Sequence, residues 1–437
     1  MTENINSSHT SDQSCEFVAL IGLDWATEHH DFCLLDPTNN KTEFGRFDHS
    51  PEKIAEWVIG LVERFGQGKI AICLEQSRGP LIYALLGYEN LVLFPVNPKT
   101  ISKLRSALYP NEPKDDRLDA KLALKMLILH REVLRPLQPL DAESNKLNLL
   151  SERRRELVDL QADQSNRLQS FLKHSYPQAI EMIGTNPTSR MATAFLQRWP
   201  TLESLQQAKP QQLRKFYYKQ NCRKEECIQK RLELAKNALP LTEDSAIIET
   251  YKLIVLGVVN IIVALNDTID QIEEVLSELV ESHQDSHIFQ SLKGAGPAFV
   301  PRMIGAFGTD RDRFPQASDI QCFSGIAPVT RQTGKAPAIV VKRWQCPRFL
   351  RQTFHEFAKC SVNFNGWAKC YYDDQRAKGK KKHVAYRALA YKWLRIIWKC
   401  WHDKVPYDEA KYIRALQKKG LKIYSHLQVE QQITKCE

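Results

Sequence analysis

Apolar residues over the first hundred positions fall in short unbroken runs, whereas farther along they recur at the three-to-four spacing of amphipathic helices. Phe17-Val18-Ala19-Leu20-Ile21-Gly22-Leu23 and Ala71-Ile72-Cys73-Leu74 are too brief for helices and predict buried strands, closed by Asp24 and Glu75. His30-Asp31-Phe32-Cys33-Leu34-Leu35 and a polar stretch holding Phe44 and Phe47 predict two more strands, antiparallel to the first. A helical pattern from Ile54 to Phe65, a helix near Leu81 to Leu86 and a strand from Leu91 to Val96 complete an α/β region. Next comes Asp116-Arg117-Leu118-Asp119-Ala120-Lys121-Leu122-Ala123-Leu124, rich in helix formers.

The rest of the chain reads as helical. Asn145 to His174 carries Leu147, Leu150, Leu157, Leu168 and Leu172 among many charges, and a second long pattern runs from Ile247 through Val275 and Leu279. Helices of this length act as spacers or dimerisation arms; Arg153 and Arg154 of the first are candidates for touching a nucleic-acid backbone, against the blander reading of a solvated face. Gly294 and Gly296 separate two further helical patterns and would let backbone N–H groups approach a phosphate, as in a helix-hairpin-helix turn; a glycine turn between packed helices is the alternative. Tyr386 to Trp401 reads as a buried amphipathic helix through Leu389, Trp393, Ile397 and Trp401.

Composition narrows the class. At 437 residues, 43% apolar and 26% charged, the chain is ordinary soluble protein of two or more domains. Its net charge of +10 favours polyanionic partners. The basic residues Lys335, Lys342, Arg343, Arg348, Arg351, Lys380, Lys381 and Lys382, with Tyr371, Tyr372 and Trp393 nearby, are candidates for phosphate contact and base stacking. Eleven cysteines without a disulfide framework and a polar leader without an apolar core predict a cytoplasmic protein with reduced thiols. Cys222 and Cys227 lack a second ligand pair, so zinc is not expected, and the apolar run Leu253 to Leu265 is too short to span a membrane.

The carboxylates suggest the chemistry. Ligands collect outside the carboxyl ends of strands in open sheets, where Asp24 and Glu75 stand, and an i,i+3 spacing puts Asp116 and Asp119 on one helix face. Hard oxygen ligands suit Mg2+ or Mn2+, which in pairs stabilise the attacking and leaving oxygens of a phosphoryl displacement. Each acid alone has a plainer reading as a loop, capping or helix-dipole residue. Asp115, i,i+4 from Asp119, competes with Asp116 as the ligand.

Gly22-Leu23-Asp24, Leu74-Glu75, Val96-Asn97-Pro98 and Asp116-Arg117-Leu118-Asp119-Ala120, followed by Arg313-Phe314-Pro315, Cys322-Phe323-Ser324-Gly325-Ile326-Ala327-Pro328 and Gln332-Thr333-Gly334-Lys335, resemble the DEDD transposases of the IS110 family of insertion sequences. The resemblance covers both ends of the chain in order. It implies a ribonuclease H-like (RuvC-like) domain over 17–140, a helical coiled-coil connector over 141–285 and a mainly helical transposase domain over 286–405, flanked by a disordered tail at 1–16 and a C-terminal tail at 406–437. The family pattern Asp-x-x-Asp-Ala favours Asp116 over Asp115.

The resemblance further implies a prokaryotic DNA recombinase guided by a structured noncoding RNA. It would work as a homo-oligomer, dimer or tetramer, in which acids of one protomer and a nucleophile of another share a site. That nucleophile is a serine in the family, held covalently to DNA so that strands can be rejoined. The aligned residue here is Thr333, whose extra methyl restricts χ1 and crowds attack, while Ser324 lies at a place where the family tolerates alanine or serine. Rival expectations are a hydrolytic nuclease using the four acids alone, like a junction resolvase, and an inactive nucleic-acid-binding remnant.

Overall fold

Buried strands pack where β-branched and apolar residues alternate between two covered faces, and the first third of the chain is built this way. The structure, a computed structural model, describes residues 16–75, 78–111, 115–334, 338–344 and 346–418, so the expected tail at 1–16 lies almost wholly outside the described residues. Two units separate by their contacts, Met1–Pro139 and Leu140–Glu437.

In the first unit, β1 (Ala19–Trp25), β2 (His29–Asp36) and β3 (Lys41–Asp48) form an antiparallel meander. Helix α1 (Pro51–Phe65), strand β4 (Ile70–Leu74), helix α2 (Pro80–Leu85) and strand β5 (Leu91–Pro95) follow. β4 pairs parallel to β1, and β5 parallel to β4, giving one five-stranded mixed sheet in the order β3-β2-β1-β4-β5. Helices α3 (Pro98–Leu108) and α4 (Asp116–Leu129) complete the unit.

Period-two alternation divides the sheet cleanly. Ile21, Leu23, Ile70, Ile72 and Leu74 share a core with Ile54, Val58 and Leu61 of α1 and Leu81 and Ile82 of α2. On the opposite face, Ala71 and Cys73 pack against Leu118, Leu122 and Met126 of α4, and Cys33 and Leu35 against Ala120 and Leu124. Gly22 makes this second contact as close as it is. A Cβ there would lie 2.1 Å from the Ala120 carbonyl oxygen and 2.2 Å from the Leu124 nitrogen, so α4 rests directly on β1.

The second unit hangs on two long helices, α5 (Ala142–Ser175) and, after five short ones, α11 (Ser245–Ser282). The pairs Ser144 with His283, Arg154 with Glu273 and Gln161 with Asn266 show them antiparallel and in one register. At 34 residues, α5 is about 51 Å long. The short helices α6 (Gln178–Ile183), α7 (Arg190–Arg198), α8 (Leu202–Gln206), α9 (Pro210–Lys219) and α10 (Glu225–Asn237) close a core at one end, around Leu168 and Leu172 of α5 and Val255, Val259 and Ile262 of α11.

The run from Leu253 to Leu265, interrupted by Asn260, thus belongs to the long helix predicted by the pattern from Ile247 to Leu279. By length and composition alone α11 is long and apolar enough to cross a membrane; in this fold Val255, Val259 and Ile262 are buried in the tip core.

The other ends of the long helices enter a second core. Leu147, Leu276 and Val280 pack there with α12 (Ser286–Gln290), α13 (Gly296–Phe307), α14 (Ala317–Phe323), α15 (Arg348–Ser361), α16 (Gly366–Ala377) and α17 (Lys382–Asp403), around the buried indoles of Trp367, Trp393 and Trp401. The stretches expected as connector and transposase domain therefore share this core and fold as one unit. Between α14 and α15 stands a hairpin of β6 (Val329–Arg331) and β7 (Ile339–Val341). The stretch expected as a tail from 406 is not all tail: Tyr407 packs on the same core, and α18 (Glu409–Lys418) adds Tyr412 and Ile413.

Candidate active site

The alternation that builds the sheet also sorts the acids. Asp24 lies two residues beyond Gly22 on the α4 face, and its antiparallel partner in the register is Asp31. Glu75 immediately follows the register pair Leu23–Leu74, next to Asp24 along the parallel edge. Because Ala120 meets Gly22, the first turn of α4 one step earlier points toward the Asp24 end of β1.

Asp115 and Asp116 are separated by this geometry. Asp115 is the N-cap of α4, with an extended backbone and a side chain accepting from the Arg117 N–H at 3.4 Å. Asp116, the first helical residue, joins His29 and Asp31: one ligand atom from each lies within 4.8 Å of the others. Asp31 is 3% exposed and bidentate with Arg46, which donates Nε at 3.0 Å and Nη2 at 2.8 Å, so its carboxylate is held at a fixed orientation. Asp119 is 5% exposed and lies 3.0 Å from Arg105 Nε of α3, an ion pair across two helices.

Sequence reasoning missed His29 and Asp31. The signal was present, since period two in β2 puts 29, 31, 33 and 35 on one face, with Cys33 and Leu35 buried against α4. The neighbouring His30 faces the other way. It is buried, shares a 2.9 Å hydrogen bond with His49, and burial pushes its pKa down to about 4, with His49 and His29 adding to the effect.

A divalent cation fits this donor set. The Asp31 and Asp116 carboxylates with the His29 imidazole, one acid fixed by a guanidinium and the other at the start of α4, form the kind of open cluster that binds a cation; of the four acids expected from the sequence, only Asp116 belongs to this close group.

In the second unit, Thr333 stands exposed in the β6–β7 loop beside Gly334, whose φ of 55° is the left-handed value glycine tolerates. Lys335 lies outside the described residues. Lys342, Arg348 and Arg351 come together along one cleft, whereas Arg343 contacts Cys322 Sγ at 3.6 Å and gives its carbonyl to Arg351 at 3.0 Å. Lys380, Lys381 and Lys382 are exposed at the start of α17, with the Lys380 ammonium on Gln375. Arg153 pairs with Glu156 and Arg154 with Glu273. Gly296 has open space where a Cβ would stand; at Gly294 a Cβ would lie 2.9 Å from the Phe364 ring, so close packing is reason enough for that glycine.

A mixed sheet with carboxylates at its strand ends, joined to a helical unit bearing basic residues, describes a class that the comparisons make specific. A transposase profile of DEDD type matches residues 21–177, and a second, described as transposase IS116/IS110/IS902 family, matches 286–373. The mini-circle putative transposase for IS117 of Streptomyces coelicolor is 24% identical over 89% of this chain and 95% of its own length. The insertion element IS110 43.6 kDa protein of the same organism is 23% identical over 89% and 95%, and the IS900 42 kDa protein of Mycobacterium paratuberculosis 24% over 79% and 85%. The chain belongs to the IS110 family of transposases.

Proposed function

We propose that the protein is an insertion-sequence transposase that cuts and rejoins DNA strands, with Asp24, Glu75, Asp116 and Asp119, joined by His29 and Asp31, as its metal-binding acids and Thr333 as its nucleophile. The observation that carries this reading is the cluster of His29, Asp31 and Asp116 inside the segment matched by the DEDD transposase profile. The strand order β3-β2-β1-β4-β5, antiparallel on one side of β1 and parallel on the other, supports a ribonuclease H-like, RuvC-like domain. The antiparallel register of α5 and α11 supports a coiled-coil connector.

Mg2+ or Mn2+ suits the oxygen-rich donors and, when bound, supplies charge stabilisation to phosphoryl oxygens. Arg46 orients Asp31, and Arg105 holds Asp119 at the buried side of the site. In the covalent step the Thr333 hydroxyl gives up its proton and its oxygen bonds to phosphorus. The bond from phosphorus to the leaving sugar oxygen breaks, and that oxygen takes a proton. Reversal by a sugar hydroxyl rejoins strands without an outside energy source. A structured noncoding RNA as guide, a homo-oligomeric assembly and a prokaryotic cytoplasmic setting belong to the same reading.

The test is a denaturing gel of protein incubated with cleavable DNA and Mg2+. A protein-linked strand is expected, lost in Thr333→Ala and in Asp116→Asn, and retained or increased in Thr333→Ser, which relieves the methyl. The β-branched side chain at Thr333 favours one second reading, hydrolysis by the acids alone: free cleaved ends indifferent to Thr333 would establish that reading in place of the first. Binding without cleavage, restored by Thr333→Ser, would mark a transposase inactivated at one residue.

A further inference from the structure

The second unit contains a cleft of about 380 Å³ lined by four cationic side chains, two histidines, Gln352 and Ile326. Lys342 enters from the end of the β6–β7 hairpin, Arg348 and Arg351 from the first turn of α15, and Arg387 from the second turn of α17. His355 and the exposed His383 stack along the cleft with ring centroids 5.5 Å apart, and Gln352 adds an amide. No carboxylate lines the cleft, and among the described residues Lys342, Arg348, Arg351 and Arg387 form no ion pair with an acid. Neither α15 nor α17 carries an acidic residue in its first turn or a side-chain cap, so both helix starts leave their N–H groups unneutralised.

Such a concentration of like charge is unfavourable unless something negative enters. Burial, and then the charge of Arg351, lower the pKa of Arg387, a sign that its charge is poorly compensated. The ligand chemistry that answers several guanidiniums, an ammonium and two imidazoles at once is a phosphate oxyanion.

We propose that this cleft binds a phosphodiester of a nucleic-acid backbone and so anchors a strand close to Thr333. The hairpin connects the two. Ile326, on the cleft wall, precedes β6 by three residues, and Lys342 directly follows β7, so the loop holding Thr333 springs from the cleft's rim. Thr333 lies seven positions after Ile326 on the cleft wall, an extended reach of at most about 23 Å, or several nucleotides of strand. That a nucleic-acid backbone is the source of the anion rests on the function proposed above; the anion site itself rests on the cleft.

The experiment measures binding of full-length protein to single-stranded DNA and RNA of equal length and two unrelated sequences, across salt concentrations. Arg348→Gln and Arg387→Gln are compared with wild type, with a thermal melt to confirm folding; Arg348, exposed at a helix start, keeps the test valid where Arg387→Gln does not fold. Each variant is expected to lose about tenfold in affinity for both sequences and to show a shallower salt dependence. Loss with both polymers, or with only one, supports the site, and the second result names the strand it takes. Unchanged affinity and slope in both variants, or a wild type that binds neither polymer, overturns it. A protein that binds through the cleft but never cleaves DNA overturns the proposed function alone, and one that forms the Thr333 adduct with binding indifferent to Arg348 and Arg387 overturns the cleft alone.

Discussion

Adjacent aspartates divide their duties at the residue scale. Asp115 caps α4, so Asp115→Ala should cost about 1 kcal/mol of stability and leave strand cleavage largely intact. Asp116→Asn should leave the melting temperature nearly unchanged and abolish cleavage, because its carboxylate faces His29 and Asp31 and not the core. Thermal melts paired with cleavage assays check both, and a dead Asp115→Ala beside an active Asp116→Asn would reverse the assignment. His355 makes a pH prediction. Burial first, then the charges of His383 and Arg387, lower its pKa, against a hydrogen bond its ring donates to the His383 backbone and the attraction of Glu356. Lys342, Arg348 and Arg351 face the same cleft. An entering phosphate favours the imidazolium and raises that pKa, so binding takes up a proton. Affinity should therefore rise as pH falls through the bound value and level off below the free one. His355→Gln should flatten that profile in binding titrations across acidic and neutral pH.

At the scale of elements, the tight seat of α4 on β1 puts the site together. Gly22→Ala would drive a methyl into the Ala120 carbonyl and should destabilise the first unit by about 1–3 kcal/mol while lowering cleavage, seen as a lower melting midpoint. A Gly22→Ala protein as stable as wild type would contradict that contact. The strands were legible because both faces of the sheet are covered, which makes runs such as Ala71 to Leu74 continuously apolar. The long helices were legible too, though α11 starts at Ser245 and ends at Ser282, beyond the pattern's reach from Ile247 to Leu279. The hairpin β6–β7 was not, since its strands are three residues each and Ile339 and Val340 are 64% and 67% exposed, leaving no buried face to create a pattern. Nor were α6 to α9, which are too short to build up helical periodicity, or α10, whose 13 residues bury only Ile228 and Ala235. His29 and Asp31 went unread because a polar pair in an alternating strand looks like its solvent side; only the position of α4 reveals that the side is covered.

For the whole molecule, a net charge of +10 predicts nucleic-acid affinity that falls steeply with salt. Neutralising Lys380, Lys381 and Lys382 together should make that fall shallower, as all three are exposed around the start of α17. A slope unchanged by the triple substitution would return them to the role of a solvated loop. The register shared by α5 and α11 has a mechanical consequence. Pinned at Ser144–His283, Arg154–Glu273 and Gln161–Asn266, the two helices cannot slide past each other without breaking all three links in step. They form a strut, stiff along its axis, with a small helical head at one end and the tryptophan-rich core at the other. A force applied to the head arrives at that core as a tilt of the whole lever, because the shaft has no internal joint to absorb it.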